Sequence, residues 1–205
     1  MKYIELNESL RDFTIFSLND IKKIDKNFHR RRLNEWQNKG YIKKITRGYY
    51  IFSSLTLYEN VLFEIANRIY NPSYISLEMA FSYYHLIPES VYGITSVSTR
   101  RTYKFKTSIG EFAYRKIKPN LFFGYNLVSY KDKRFKIASI EKAILDYFYI
   151  NPNIKTEVDF ASLRMNKDLF LKQINEEKFY GFLKEFDQKR LTRRVNSFLE
   201  FMKNA

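Results

Sequence analysis

Residues 17–52 read SLNDIKKIDKNFHRRRLNEWQNKGYIKKITRGYYIF. Ser17 is placed to cap a helix from Leu18 to Ile24, because its hydroxyl can accept from amides left without partners in the first turn. Asp20 sits where negative charge complements the helix dipole. The spacing predicts that Leu18, Ile21 and Ile24 form the buried face. Asp25 is then expected to cap a third helix with an inner face of Phe28, Leu33 and Trp36 and the stem of Arg32, closed by Lys39-Gly40 in a left-handed cap. Tyr41 to Ile45 and Tyr49 to Phe52 alternate as two antiparallel strands, and Gly48 permits the positive backbone angle of the tight turn between them. Upstream, Tyr3, Ile4, Leu6, Leu10 and Phe13 recur at spacings of three or four with one irregularity, as expected of a first helix laid on a small core. Helix, helix, helix and hairpin in this order read as a winged helix-turn-helix.

Lys26, Asn27, His29, Arg30, Arg31 and Asn34 remain for the outer face of the third helix. That mixture suits a major groove: Arg can take guanine O6 and N7 in a fork, Asn can do the same for adenine, and Lys meets phosphate. Lys43, Lys44, Thr46 and Arg47 decorate the hairpin, whose basic tip would reach a flanking phosphate or minor groove. The bland alternative is a solvated face in which Arg31 or Arg32 pairs with Glu35 at helical spacing.

The chain has 205 residues, and its 45% apolar and 18% aromatic content argues for a folded protein with one sizeable core or two small ones. A net charge of +14 favours anionic partners, although AT-rich codon bias toward Lys, Asn, Ile, Tyr and Phe would give a similar composition. The distribution says more, since residues 1–55 hold twelve basic and six acidic side chains and residues 100–136 hold eleven and two. Absence of cysteine excludes disulfides, thiolate nucleophiles and Cys-based zinc sites, and suits a reducing cytosol. With only His29 and His85 present, no metal or cofactor is expected. No run approaches the roughly 18 apolar residues of a spanning helix, so the expectation is a cytoplasmic protein with no membrane partner.

Beyond the hairpin, Leu55 to Tyr70 has the period of an amphipathic helix stopped by Asn71-Pro72. The domains are therefore expected at 1–55, a connecting helix at 56–72 and an α/β unit at 73–205. Ser76 is expected to cap a helix from Leu77 to Leu86. Strand-like runs follow at Tyr92–Ser98, Thr102–Thr107, Glu111–Ile117, Tyr125–Tyr130 and Arg134–Ile137, read as an antiparallel meander of short strands. Ser139 should cap a helix over Ile140–Ile150, and the last helix is expected from about Tyr180 to Lys203. The fold class expected is α+β: the winged unit, then a mixed α/β domain with the meander and C-terminal helices.

Three blocks resemble the AbiEi family of antitoxins and transcriptional autorepressors of type IV toxin-antitoxin and phage-defence loci. They are Ile45-Thr46-Arg47-Gly48-Tyr49-Tyr50; Tyr74-Ile75-Ser76-Leu77-Glu78-Met79-Ala80 leading to Leu86-Ile87-Pro88-Glu89; and Ile137-Ala138-Ser139-Ile140-Glu141-Lys142-Ala143-Ile144-Leu145-Asp146. They come in family order across about residues 15–150, with His85 standing where a glycine is more usual. The resemblance implies a repressor that binds inverted repeats in its own promoter, with a second domain that counteracts a nucleotidyltransferase-like toxin without necessarily forming a stable complex.

An enzymatic reading of Ser139 to Asp146 finds little support. A restriction-type nuclease needs an acid and a lysine two apart on one strand, whereas Glu141 and Lys142 are adjacent on a helix and point roughly 100° apart. Capping, dipole complementation and a local charge pair account for Glu141, Lys142 and Asp146. Asp187-Gln188-Lys189 has the required spacing but falls in the last helical run, as a solvated face. No catalytic set is expected. A second surface, around Arg100, Arg101, Lys104, Arg115 and Lys116, interleaves with Tyr103, Phe105, Phe112, Tyr114, Phe122, Phe123 and Tyr125. Either aromatics point inward and cations outward on a half-buried sheet, or exposed rings stack on RNA bases. The alternative to DNA readout is a protein- or RNA-binding module that engages its partner through the second domain.

Overall fold

A computed structural model describes residues 1–88 and 92–204; Glu89, the last residue of the second block, lies outside them. The protein is a mixed α+β structure, and among the described residues no helix is long and apolar enough to cross a membrane. Helix α1 spans Tyr3–Leu10, β1 Phe16–Ser17 and α2 Leu18–Ile24. Ser17 caps α2 by accepting from Asp20 N, and Asp20 Oδ2 accepts in return from Ser17 N. Helix α3 spans Arg31–Asn38, and the hairpin is β2, Ile42–Thr46, with β3, Tyr49–Phe52. β1, too short for a period-2 pattern to reveal, pairs antiparallel with β3 and completes a sheet in the order β1-β3-β2.

Leu6, Leu10, Phe16, Ile21, Phe28, Leu33, Trp36, Ile42, Tyr50 and Phe52 form a small core under these elements. Ile4 and Ile24, both expected inside, are 67% and 46% exposed, because α1 and α2 are two turns or so long and bury only a narrow stripe. Arg32 is exposed as well, its guanidinium donating to the Met1 carbonyl instead of laying its stem on the core. Ile15, Ile45 and Ile51 face the other way and join the larger core of the downstream unit.

That unit begins with α4, Glu59–Ile69, then β4, Ser73–Ile75, α5, Glu78–Tyr83, and β5, Ile94–Ser98. β6, Tyr103–Thr107, β7, Gly110–Lys116, β8, Tyr125–Tyr130, and β9, Lys133–Ala138, follow. The expected meander is not what forms. The six-stranded sheet runs β6-β7-β5-β4-β9-β8, with β5 parallel to β7 and β4 parallel to β9. Apolar alternation reports which face of a strand is buried and carries nothing about its neighbour or direction. β4 was hidden because all three of its residues are buried, leaving no alternation to read.

Tyr114, Ser96 and Ile75 stand side by side across this sheet and face α4, where the Tyr114 hydroxyl donates to Ala66 O. Tyr74 therefore faces the opposite way, toward α6, Ile140–Ile150. Ser139 caps α6 as expected, accepting from Lys142 N. Ser76 does not cap α5: that position is taken by Leu77 with φ 62°, and the Ser76 hydroxyl donates to Asp146 on α6. His85 adopts φ 58°, the left-handed region glycine favours. α7, Glu157–Ser162, and α8, Lys167–Gln173, lead to two closing helices where one was expected, α9, Glu176–Phe186, and α10, Lys189–Asn204. They divide at Asp187 with φ 44°, so Asp187 and Lys189 sit at a bend and share no helix face.

Candidate nucleic-acid interface

Asp25 folds the turn before α3 where a cap was expected: its Oδ1 accepts from Asn27 N at 3.0 Å, its carbonyl from Phe28 N, and its Oδ2 lies 3.3 Å from the N-terminal ammonium. Lys26, Asn27 and His29 consequently lie in the turn, and the helix starts only at Arg31, with Arg30 as its N-cap. All six of Lys26, Asn27, His29, Arg30, Arg31 and Asn34 are exposed. Arg31 Nε is 3.7 Å from Glu35 Oε1, but its side chain is 89% exposed, and such a surface pair is worth only about 0.3–0.5 kcal/mol. It does not remove Arg31 from competition for a stronger anion.

The first turn of α3 carries no acidic residue and no side-chain cap. Cations here oppose the helix dipole by roughly 0.3–1 kcal/mol each. Folding alone gains nothing from Arg30 and Arg31 at that end, whereas an anion placed against it would meet both the guanidinium groups and the positive end of the dipole.

The hairpin stands beside it. Register shifts between Lys44 and Thr46, so that Ile42 and Ile45 are buried while Lys43 and Lys44 between them are exposed. Arg47 is exposed at the tip next to Gly48, whose φ of +87° favours glycine, and Thr46 is half-buried. β2 touches β6, the edge strand of the second sheet, which carries Lys104 of the second basic block.

In that block Arg100, Arg101, Lys104, Arg115 and Lys116 are all exposed. Lys104 Nζ is 2.5 Å from Glu111 Oε2, and hydrogen bonding to that lysine holds the Glu111 carboxyl below its usual range. Arg100 lies 4.2 Å over the Tyr70 ring and donates to Asn71 O. Of the interleaved aromatics, Phe112 and Tyr114 are fully buried, Phe105, Phe122, Phe123 and Tyr125 are half-buried, and Tyr103 alone is exposed, under the Arg101 guanidinium. Inward-facing rings thus account for most of the alternation.

The last block of the sequence holds a feature its spacing did not announce. Lys142 and Asp146 are both fully buried, paired through Nζ and Oδ1. Asp146 Oδ2 accepts from the Tyr74 and Ser76 hydroxyls, each at 2.9 Å, and Lys142 Nζ also donates to Tyr74 Oη at 2.9 Å. The Phe123 and Phe186 rings lie 5.2 and 5.1 Å from the ammonium. Burial pushes the Asp146 carboxyl up and the Lys142 amine down, each opposed by the other's charge. A local charge pair was expected; its complete enclosure was not, because an i, i+4 Lys–Asp pair looks the same in sequence whether wet or dry. Glu141 is buried too, held by Asn175 N at 3.1 Å and Lys178 Nζ at 3.0 Å. The cluster ties β4 to α6. Among the described residues no three His, Asp or Glu side chains gather into a metal cage.

Compared with protein-family models and with curated proteins, the chain matches none.

Proposed function

We propose that the protein is a winged helix-turn-helix DNA-binding repressor, with α3 as the element that enters the major groove and the β2–β3 hairpin as the wing. The observation that carries this reading is the uncapped, acid-free first turn of α3 with Arg30 and Arg31 fully presented beside an exposed Lys43, Lys44 and Arg47. Base contacts would come from Arg30, Arg31 and Asn34, whose donors suit guanine and adenine edges, and phosphate contacts from Lys26 and the hairpin. The resemblance of three sequence blocks to the AbiEi family extends the proposal to an antitoxin that represses its own promoter and counteracts a nucleotidyltransferase-like toxin. Fluorescence anisotropy with duplex from the protein's own upstream region tests it. Binding should weaken with salt at a log-log slope of about −0.9 per phosphate neutralised. Equal affinity for the upstream and a scrambled duplex, together with copurification of a stoichiometric protein partner, would replace it with a protein-binding role.

A further inference from the structure

β4 and β9 run parallel but meet at a single register, Ile75 opposite Ile137. Toward Ser73 the two strands part, and Asn67 of α4 bridges the opening by accepting from Lys136 N at 2.6 Å through its Oδ1. Its amide Nδ2 and the hydroxyl of Ser73, a residue only 1% exposed, are buried with no hydrogen-bond partner. Both residues line one recess of about 210 Å³, with Arg68 and Arg134 on its walls and Glu64 to one side.

Two buried polar groups left empty-handed each cost about 1–3 kcal/mol, so a single recess holding both calls for a ligand that satisfies them. The available chemistry is donor-rich: an unpartnered amide NH2 and hydroxyl, with the cationic residues Arg68, whose guanidinium lies 5.8 Å over the Phe13 ring, Arg134 and Lys136 in the lining. Glu64 is already engaged, its Oε2 accepting from Thr14 Oγ1 at 2.6 Å and from the Tyr130 hydroxyl. Donors of this kind suit an oxyanion and repel a metal cation. We propose that the recess binds the phosphate group of a small phosphorylated molecule. Its volume falls short of the roughly 300–1,000 Å³ typical of pockets that hold a whole ligand. The rest of the molecule would extend into an adjoining cleft of about 420 Å³, which shares Asn67, Arg68 and Asn71 and reaches Ser17, Lys23 and Tyr49 of the N-terminal unit.

Calorimetric titration of the full chain with inorganic phosphate, adenosine 5′-monophosphate and adenosine, at ionic strength held constant with sodium chloride, tests the proposal. Saturable binding of phosphate or of the mononucleotide, and none of adenosine, is expected. Tighter binding of the mononucleotide by tenfold would identify a nucleotide-type ligand, and equal binding would identify free phosphate. Ser73→Ala should weaken binding at least tenfold. So should Asn67→Asp, which keeps the acceptor for Lys136 N but replaces the amide donor with negative charge. Arg134→Gln, an exposed substitution that leaves the core intact, should weaken it severalfold. Heats no different from matched chloride, meaning that an ordered water fills the recess, would overturn the proposal. So would binding that is indifferent to both Ser73→Ala and Arg134→Gln, or binding shown by duplex DNA alone.

Discussion

Lys142→Met and Asp146→Asn should destabilise the protein with opposite dependence on pH. Removing one partner of a buried ion pair costs about 3–5 kcal/mol, because the other is left uncompensated. After Lys142→Met, Asp146 keeps two hydroxyl donors at 2.9 Å, so the loss belongs near the lower end. After Asp146→Asn, the ammonium keeps Tyr74 Oη, the faces of Phe123 and Phe186 and only a neutral amide where the carboxylate stood, so the loss belongs near the upper end. At roughly 2–4 °C per kcal/mol for a chain of this size, the two melting temperatures fall by roughly 10 and 15 °C near neutral pH. In Lys142→Met only the Tyr74 and Ser76 hydroxyls still oppose the upward push of burial on Asp146. With its folded pKa above the unfolded one, the variant recovers stability as pH falls through the folded pKa toward the unfolded one, at up to about 1.4 kcal/mol per pH unit. In Asp146→Asn the carboxylate no longer opposes the downward push of burial on Lys142. The unfolded chain then binds the extra proton, and the variant recovers as pH rises toward 9. The double variant Lys142→Met/Asp146→Leu removes both charges and most of the pH dependence, but it leaves the buried Tyr74 and Ser76 hydroxyls without an acceptor and should stay below wild type by about 1–3 kcal/mol for each. Thermal unfolding followed by circular dichroism at pH 5, 7 and 9, each referred to wild type at the same pH, measures all of this. Losses under about 1 kcal/mol for both single variants, or pH slopes of the same sign, would refute a dry, enclosed pair.

Arg30→Ala/Arg31→Ala should weaken binding to the upstream duplex by tenfold or more, and Lys43→Ala/Lys44→Ala should flatten the salt slope by about 0.9 for each phosphate no longer neutralised while leaving sequence preference intact; a salt titration of each variant reads both effects. Glu141 is raised by burial but held below its usual pKa overall by hydrogen bonds from Ser139, Asn175 N and Lys178. Its contribution is therefore present above about pH 4.3 and lost as acid titrates the folded carboxyl, so denaturant midpoints of wild type and Glu141→Gln should differ at pH 6 and converge toward pH 3. Gly124→Ala should cost about 1–3 kcal/mol in urea unfolding, since φ is +71° and the added methyl would lie 2.9 Å from Phe182 Cε2 and 3.1 Å from the Lys142 side chain.

What could be read in the sequence was the presence and type of most of the longer regular elements, while the short strands β1 and β4 escaped. Ser17 with Asp20, and Ser139 before an apolar run, mark the starts of α2 and α6 because capping is a local interaction that needs no distant partner. Sheet order was illegible for the converse reason: β5 finds β7, and β4 finds β9, through pairings that no short window contains. Leu183, Phe186, Leu191 and Val195 keep an apolar rhythm straight across the bend at Asp187, which made α9 and α10 read as one helix. Among the candidate DNA-facing residues, the exposed cations were legible as polar positions between apolar ones, but the turn that places Lys26, Asn27 and His29 ahead of α3 was not. Asp25 can either cap a helix or fold a turn with the same carboxylate, and the choice was made by its pairing with the N-terminal ammonium and by Phe28 reaching the core.

Ile15, just ahead of β1, and Ile45 and Ile51 of the first sheet complete the core of the second unit. A fragment cut after the hairpin would present three wet isoleucines, and the remaining piece a matching apolar scar, so each half expressed alone should tend to self-associate. Grafting the N-terminal unit onto an unrelated partner would fail for the same reason unless the surface under those isoleucines travelled with it. Change in what this protein recognises is thereby channelled into its exposed side chains, one residue at a time, and away from the exchange of whole halves.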